Sequence, residues 1–233
     1  MRRIDFHSHV LPGADHGSNA VETSVEQIAL LNTAGVTRLV ATPHFYPEEC
    51  SVASFFEKRA RCADALRDAL AQKTQMKIHS GAEVLVCPKM EEMADLERLC
   101  IEGTGTMLLE MPLTRLSTQI LYTLEALARR KDLRIVLAHI DRYHADDVRD
   151  VMLLPLWAQV NAKSLCSRSV RKSLTPYFEA GRVVALGSDL HLAQKTDIKQ
   201  YLKGLSKLGE DGEQRVYEYS QVLLEGACNL LDE

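Results

Sequence analysis

Histidine and carboxylate residues recur in this chain where β-like runs end. In order they are Asp5-Phe6-His7-Ser8-His9, Asp15-His16, Thr42-Pro43-His44, Gly81-Ala82-Glu83, Leu109-Glu110, His139-Ile140-Asp141-Arg142 and Ser188-Asp189-Leu190-His191, and they hold six of the eight histidines. Imidazole and carboxylate together form the donor set of a catalytic metal site. Donors spread over so much sequence meet at one point if the strands carrying them run parallel and end side by side. The C-terminal mouth of an α/β barrel is such an arrangement.

The rest of the sequence agrees with that demand. Strands are predicted at Ile4–His7, Arg38–Ala41, Lys77–Val84, Met107–Met111, Arg134–Ala138, Trp157–Asn161 and Val183–Leu186. Amphipathic segments fall between them at Val21–Ala34, Ser54–Lys73, Thr118–Arg130, Leu174–Ala180 and Leu192–Leu208, and Asp211–Cys228 closes the chain. Gly35 and Gly181 sit where helix C-caps belong. No Pro/Gly/Ser linker or repeat divides the 233 residues, so residues 1–233 read as one α/β domain. Seven alternations imply a parallel sheet, and donors on so many strands favour a closed barrel over an open doubly wound sheet.

Strand alternation sharpens the expectation. In the first strand Ile4 and Phe6 share one face and Asp5, His7 and His9 the other. In the seventh, Val183, Ala185, Gly187, Asp189 and His191 line up, small residues first and donors last. That gradient suits a barrel packed below and liganding at its top.

Charge and composition remove several classes. A formal net charge of −4 gives no electrostatic case for nucleic acid or an anionic membrane. No apolar run approaches the roughly 20 residues of a spanning helix. The N-terminal residues lead straight into a motif without an apolar segment, and the expected location is the cytoplasm. The six cysteines form no CxxC pair and read as reduced thiols. None is followed six positions later by arginine, as a cysteine-phosphatase loop requires.

Each motif has a plainer reading beside the chemical one. His7-Ser8-His9 projects two rings the same way from an extended segment, although such pairs also occur by chance on surfaces. Glu83 and Glu110 fall in runs of apolar or small residues. Inside a fold such carboxylates need a cation, either an ion-pair partner or a metal. The histidines supply a matching set, which favours metal. Arg142 offers a planar fork for phosphate or carboxylate, or a salt bridge to Asp141 or Asp146. His79 reads as a packed core residue and His144 as solvated. Asp15 is either a ligand or the orienter of a neighbouring histidine.

Taken together, DxHxH, LPGxDxG, ATPH, GxE, LLE, AHxxRY, QVNA and GSDxH resemble the polymerase-and-histidinol-phosphatase (PHP) superfamily. Within it they are most similar to the manganese-dependent protein-tyrosine phosphatases of bacterial capsule and exopolysaccharide biosynthesis. The resemblance runs from Ile4 to about His191. It implies a distorted (β/α)7 TIM-like barrel with three Mn2+ ions at its mouth. His7, His9, Glu83 and Asp189 would hold the first ion. Glu83 would bridge to a second, bound also by Glu110 and His139. His44, His191 and His16 would hold the third, and Arg142 would bind phosphate. Nitrogen and oxygen donors without thiolate also admit Fe2+, Zn2+ or Mg2+.

Two departures stand out. The family usually reads Asp-Asp-Gly where this chain has Asp15-His16-Gly17. An Asn and an Arg-Pro usually follow the last motif, where this chain has Leu192-Ala193-Gln194-Lys195-Thr196, leaving Lys195 as a point cation. The implied activity is hydrolysis of phosphotyrosine on a protein, with a bacterial tyrosine kinase as the expected partner. A small-molecule phosphatase such as one for histidinol phosphate is the rival within the superfamily. A catalytically idle metal-binding docking module is the rival outside it.

Overall fold

The structure, a computed structural model, describes residues 2–192 and 194–226. Ala193 and Cys228, both part of the readings above, lie outside the described residues. Among the described residues there are nine parallel strands: β1 (Arg3–Ser8), β2 (Val36–Ala41), β3 (His44–Phe45), β4 (Lys77–Ser80), β5 (Glu83–Leu85), β6 (Thr106–Glu110), β7 (Arg134–Leu137), β8 (Trp157–Asn161) and β9 (Val183–Gly187). The helices are α1 (Val21–Thr33), α2 (Val52–Leu70), α3 (Thr118–Ala128), α4 (Ala145–Val151), α5 (Arg168–Glu179), α6 (Lys195–Leu205) and α7 (Gly209–Glu225).

Local chemistry starts and stops these elements. Ser51 caps α2 by accepting the Ser54 N–H at 3.2 Å, and Ser117 caps α3 by accepting that of Ile120 at 3.2 Å. After α1, Gly35 takes φ +78°, the left-handed turn that a side chain resists.

Ladder pairing runs in two sheets, β1-β2-β4 and β3-β5-β6-β7-β8-β9, rather than in one unbroken ring. Two chain segments pass from one sheet to the other. β2 continues through Thr42-Pro43 into β3, and β4 continues through Gly81-Ala82 into β5. The run predicted as a single strand, Lys77–Val84, is thus broken. At the crossing, the Gly81 N–H donates to Ala41 O at 2.8 Å and the Glu83 N–H to Pro43 O at 3.1 Å. On the other side β1 meets the end of β9, where the Asp189 N–H donates to His7 O at 2.8 Å and the His9 N–H to Leu190 O at 3.1 Å. The strands therefore finish around a common mouth.

Consecutive strand residues divide between two apolar clusters, as a period of two requires. Val40, Leu108 and Val136 join Ile4, Phe6 and Val184 in one cluster, closed by Leu223 and Leu224 of α7. Their neighbours Leu39, Leu109 and Leu137 face helices instead, alongside Ile28 and Leu31 of α1 and Leu124 and Leu127 of α3.

The alternation expected for β1 does not hold throughout. Its pairing with β2 shifts register between Asp5 and Ser8, so Asp5 does not share a destination with His7 and His9. Its carboxylate instead accepts the Ser188 N–H at 2.7 Å and Ser188 Oγ–H at 2.6 Å. Burial raises its pKa to about 6 against the pull of those bonds.

Candidate metal centre

Glu83 stands at the middle of the mouth, at the start of β5, with its side chain buried. Its Oε2 lies 3.1 Å from His7 Nε2, 3.3 Å from His9 Nε2 and 3.1 Å from His44 Nδ1. Its Oε1 lies 2.7 Å from His139 Nε2. Glu110, at the end of β6, reaches His139 Nε2 at 3.5 Å and His44 Nδ1 at 3.7 Å. Beyond β9, Asp189 Oδ1 lies 3.5 Å from His9 Nε2, 3.9 Å from His7 Nε2 and 3.5 Å from His191 Nδ1.

Among the described residues, four overlapping groups have donor atoms within 4.8 Å of one another. They are His7/His9/Asp189, His7/Glu83/His139, His44/Glu83/Glu110 and His9/His44/His191. Such groups can hold metal ions, and one observation shows that they fit. Glu83 Oε2 and His44 Nδ1, which face the centre, are buried without a hydrogen-bond partner. Glu83 Oε2 and His44 Nδ1 stand 3.1 Å apart without the alignment of a hydrogen bond. Buried polar atoms in this state cost free energy that a shared cation would recover.

Backbone strain marks the same place. His139 has φ +32° and Asp189 φ +53°, both in the region that side chains disfavour. These residues turn the chain sharply just past β7 and β9, so their side chains reach the common point.

The charges of the centre lock one another. Burial would lift Glu83, but the His7 charge, the His139 hydrogen bond and the close His7 and His9 rings hold it well below the usual carboxylate range. Asp189 is also lowered, because His9, His7 and Arg142 outweigh its burial. Burial would depress His139, yet Glu110 and Glu83 hold it at about 9. His9 is likewise raised well above its ordinary value against burial, by hydrogen bonds with Asp15, Asp189 and Glu83. His191 falls to about 4, through burial and then the neighbouring His9 charge.

A second layer fixes the donors. Asp15 Oδ2 accepts from His9 Nδ1 at 2.7 Å and from the His44 N–H at 3.0 Å, which makes Asp15 an orienter. Gln159 Oε1 accepts from His7 Nδ1 at 3.2 Å and from the His139 N–H at 2.7 Å. Gln159 Nε2 donates to Asn161 Oδ1 at 3.1 Å, and Asn161 Nδ2 donates to Asp189 Oδ2 at 2.9 Å. Sequence reading gave neither amide a role, although their alternation on β8 places two buried polar side chains on one face.

Other expectations resolve individually. Arg142 pairs with Asp189, not with Asp141 or Asp146, and its side chain stays 39% exposed at the mouth. Asp146 is taken by Arg149. His16 is exposed and enters none of the four groups, but its ring lies against those of His44 and His191. Lys195 opens α6 as an exposed residue. His79 is half-buried beside Arg38 rather than packed in the core, and His144 caps α4 in an exposed position. Cys50, Cys62, Cys87, Cys100 and Cys166 are free thiols.

A model of the CpsB/CapC family of capsular polysaccharide synthesis matches residues 3–219. The chain belongs to this family. No curated protein matches it in sequence. Among solved structures, the fold is similar to the metal-dependent tyrosine phosphatases YwqE from Bacillus subtilis and CpsB from Streptococcus pneumoniae. That match has a TM-score of 0.75 at 20% identity, over 96% of this chain and 95% of the other. A probable 2-pyrone-4,6-dicarboxylic acid hydrolase from Acinetobacter baumannii matches with a TM-score of 0.61 at 14% identity, over 96% and 99%. Both support the α/β architecture of parallel strands. Among the described residues no helix is long and apolar enough to cross a membrane.

Proposed function

We propose that this member of the CpsB/CapC family is a metal-dependent phosphatase acting on phosphotyrosine of a partner protein, as the tyrosine phosphatases YwqE and CpsB suggest. The observation that carries the reading is the convergence on Glu83 of four imidazoles from three separate chain segments, with the Arg142 guanidinium beside them on Asp189. His7, His9, Glu83 and Asp189 would hold one ion, with Glu83 shared to a second held by Glu110 and His139. A third would sit outward at His44 and His191. Three Mn2+ ions are the working assignment. When bound, the metals supply Lewis acidity and a water made nucleophilic near neutral pH.

The chain's own residues do the remaining work. Arg142, half-open to solvent, presents donors in a fork that suits phosphate oxygens, and Asp189 aims it across the mouth. Gln159 and Asn161 hold His7 and Asp189 in place, so little reorganisation is needed when charge builds on the phosphoryl group. No side chain needs to be phosphorylated.

A groove beside the centre favours a protein substrate over a small metabolite. It has a volume of about 380 Å³ and is lined by Met111, Leu113, Leu116, Ile120 and Tyr143. Tyr143 also packs against the His139 ring at 5.5 Å, so groove and centre share a wall. A tyrosine kinase of polysaccharide synthesis in the cytoplasm is the proposed partner. The test compares kcat/KM on a phosphotyrosine peptide and on histidinol phosphate, using Mn2+-loaded protein. Preference for the peptide is expected, and preference for histidinol phosphate would overturn the substrate. Arg142→Ala should lose most of kcat/KM while keeping its metal, and an unchanged value would remove arginine from the mechanism.

A further inference from the structure

The end of the barrel opposite the metal centre carries a second concentration of charge. A cleft of about 910 Å³ opens there, where the strands begin. Arg2 leads into β1, Arg38 lies near the start of β2, Lys77 opens β4, and Lys73 lies in the turn between α2 and β4. Among the described residues, Glu225 of α7 is the one carboxylate on its wall. Four cations thus face a single acid, in a chain whose net charge is −4.

That acid is already engaged. Glu225 Oε1 accepts from Arg38 at 3.3 Å and from Gln221 Nε2 at 2.9 Å. Arg38 Nε also lies 3.4 Å from His79 Nε2. Burial, and then the Arg38 and Lys77 charges, lower the His79 pKa, so this ring is an uncharged acceptor behind the guanidinium. Arg2, Lys73 and Lys77 are exposed, and among the described residues no carboxylate pairs with them. Like charges gathered on a concave wall raise a positive potential that draws in anions.

The rest of the wall is polar but uncharged. Tyr217 and Gln221 stand one turn apart on the same face of α7 as Glu225, and Asn32, Gln72 and Gln75 add side-chain amides. A half-buried aromatic ring offers a stacking surface for a flat heterocycle, and amides can both donate to and accept from its edge. Guanidinium and ammonium groups suit phosphate oxygens. The volume falls within the roughly 300–1,000 Å³ of small-molecule sites.

We infer that this cleft binds a nucleoside polyphosphate, its phosphates on Arg2, Arg38, Lys73 and Lys77 and its base against Tyr217. The site is separate from the metal centre and does not depend on the phosphatase reading.

The full-length protein, kept metal-free with a chelator so that no ion at the mouth holds phosphate, is titrated with ATP and with tripolyphosphate by calorimetry at physiological salt. One ATP should bind per chain. The double substitution Lys73→Glu and Lys77→Glu alters only exposed side chains, and should weaken ATP binding roughly tenfold or more. Arg142→Ala, at the other end of the barrel, should keep the wild-type affinity. Tyr217→Leu should weaken ATP several-fold and spare tripolyphosphate. No saturable ATP binding, or an affinity that follows Arg142 and ignores the two lysines, would overturn the site. Tripolyphosphate bound as tightly as ATP, with Tyr217→Leu without effect on either, would overturn the nucleoside assignment.

Discussion

Loading the stripped protein with metal should release protons, and its affinity should rise steeply with pH. His139 is held at about 9 by Glu110 and Glu83, and His9 is raised in the same direction by Asp15, Asp189 and Glu83, each against the opposing effect of burial. At pH 7 both rings are therefore protonated in the metal-free centre, where the two imidazolium charges face Glu83. A metal ligand must be neutral imidazole, so each proton has to leave. For His139, two pH units below its pKa correspond to a cost of about 3 kcal/mol. Below pH 9, apparent affinity should climb about tenfold per pH unit for the His139 proton, and more steeply wherever His9 also gives one up.

The same shift sets the stability of the metal-free chain. A histidine whose folded pKa lies above its unfolded value of about 6.5 stabilises the fold fully below that value. The contribution disappears as pH rises through 9, a loss of roughly 3 kcal/mol. Isothermal titration calorimetry in buffers of different ionisation enthalpy at pH 7 gives the proton count, expected to be about two per chain. Thermal melts of stripped and loaded protein at pH 6 and 9 give the stability arm, and only the stripped form should weaken. No proton release, with affinity flat from pH 6 to 8, would refute the argument. It would show that the imidazoles are already neutral.

Gln159→Leu leaves His7 Nδ1 and the His139 N–H without their shared acceptor, and should lower metal affinity about 10–100-fold by calorimetry. Gly187→Ala would place a methyl 2.6 Å from His7 Cβ and 2.7 Å from Gln159 Nε2. It should cost about 1–3 kcal/mol in chemical denaturation and impair metal loading, and a neutral result would mean that β9 yields easily. Leu113 is 73% exposed at the rim of the groove. Leu113→Ser should therefore leave Tm unchanged and raise KM for a phosphotyrosine peptide while sparing para-nitrophenyl phosphate. Equal effects on both substrates would remove the groove from recognition.

The strands and donor types were legible because each depends on a short-range signal. A buried parallel strand is a run of apolar residues, and the donors are the polar residues that interrupt such runs. β3, with two residues, is too short to leave a period, and α4 is hidden in a charged stretch after His144. The break between β4 and β5 depends on where Gly81 and Ala82 cross between sheets, which is a tertiary event. Asp5 was misplaced for a related reason. A register shift in β1 changes the face on which a side chain emerges, and alternation carries no mark of the shift. Gln159 and Asn161 carry no charge and match no ligand pattern, so only their contacts reveal them as orienters.

The centre also shows why its construction calls for so large a barrel. Two donors, His139 and Asp189, have disfavoured backbone angles worth about 1–3 kcal/mol each. Glu83 adds the cost of a carboxylate nearly sealed from water, with one oxygen lacking a hydrogen bond. None of this is offset at the mouth, where the alternative to metal is a set of trapped protons. It is offset below, where Phe6, Val40, Leu108, Val136 and Leu223 are fully buried, each side chain contributing about 1.5–3 kcal/mol. The apolar cluster is built from the same strands that end in the donors. A truncation such as Leu108→Ala should therefore weaken metal binding without touching a ligand, because relaxation of β6 moves Glu110 with it.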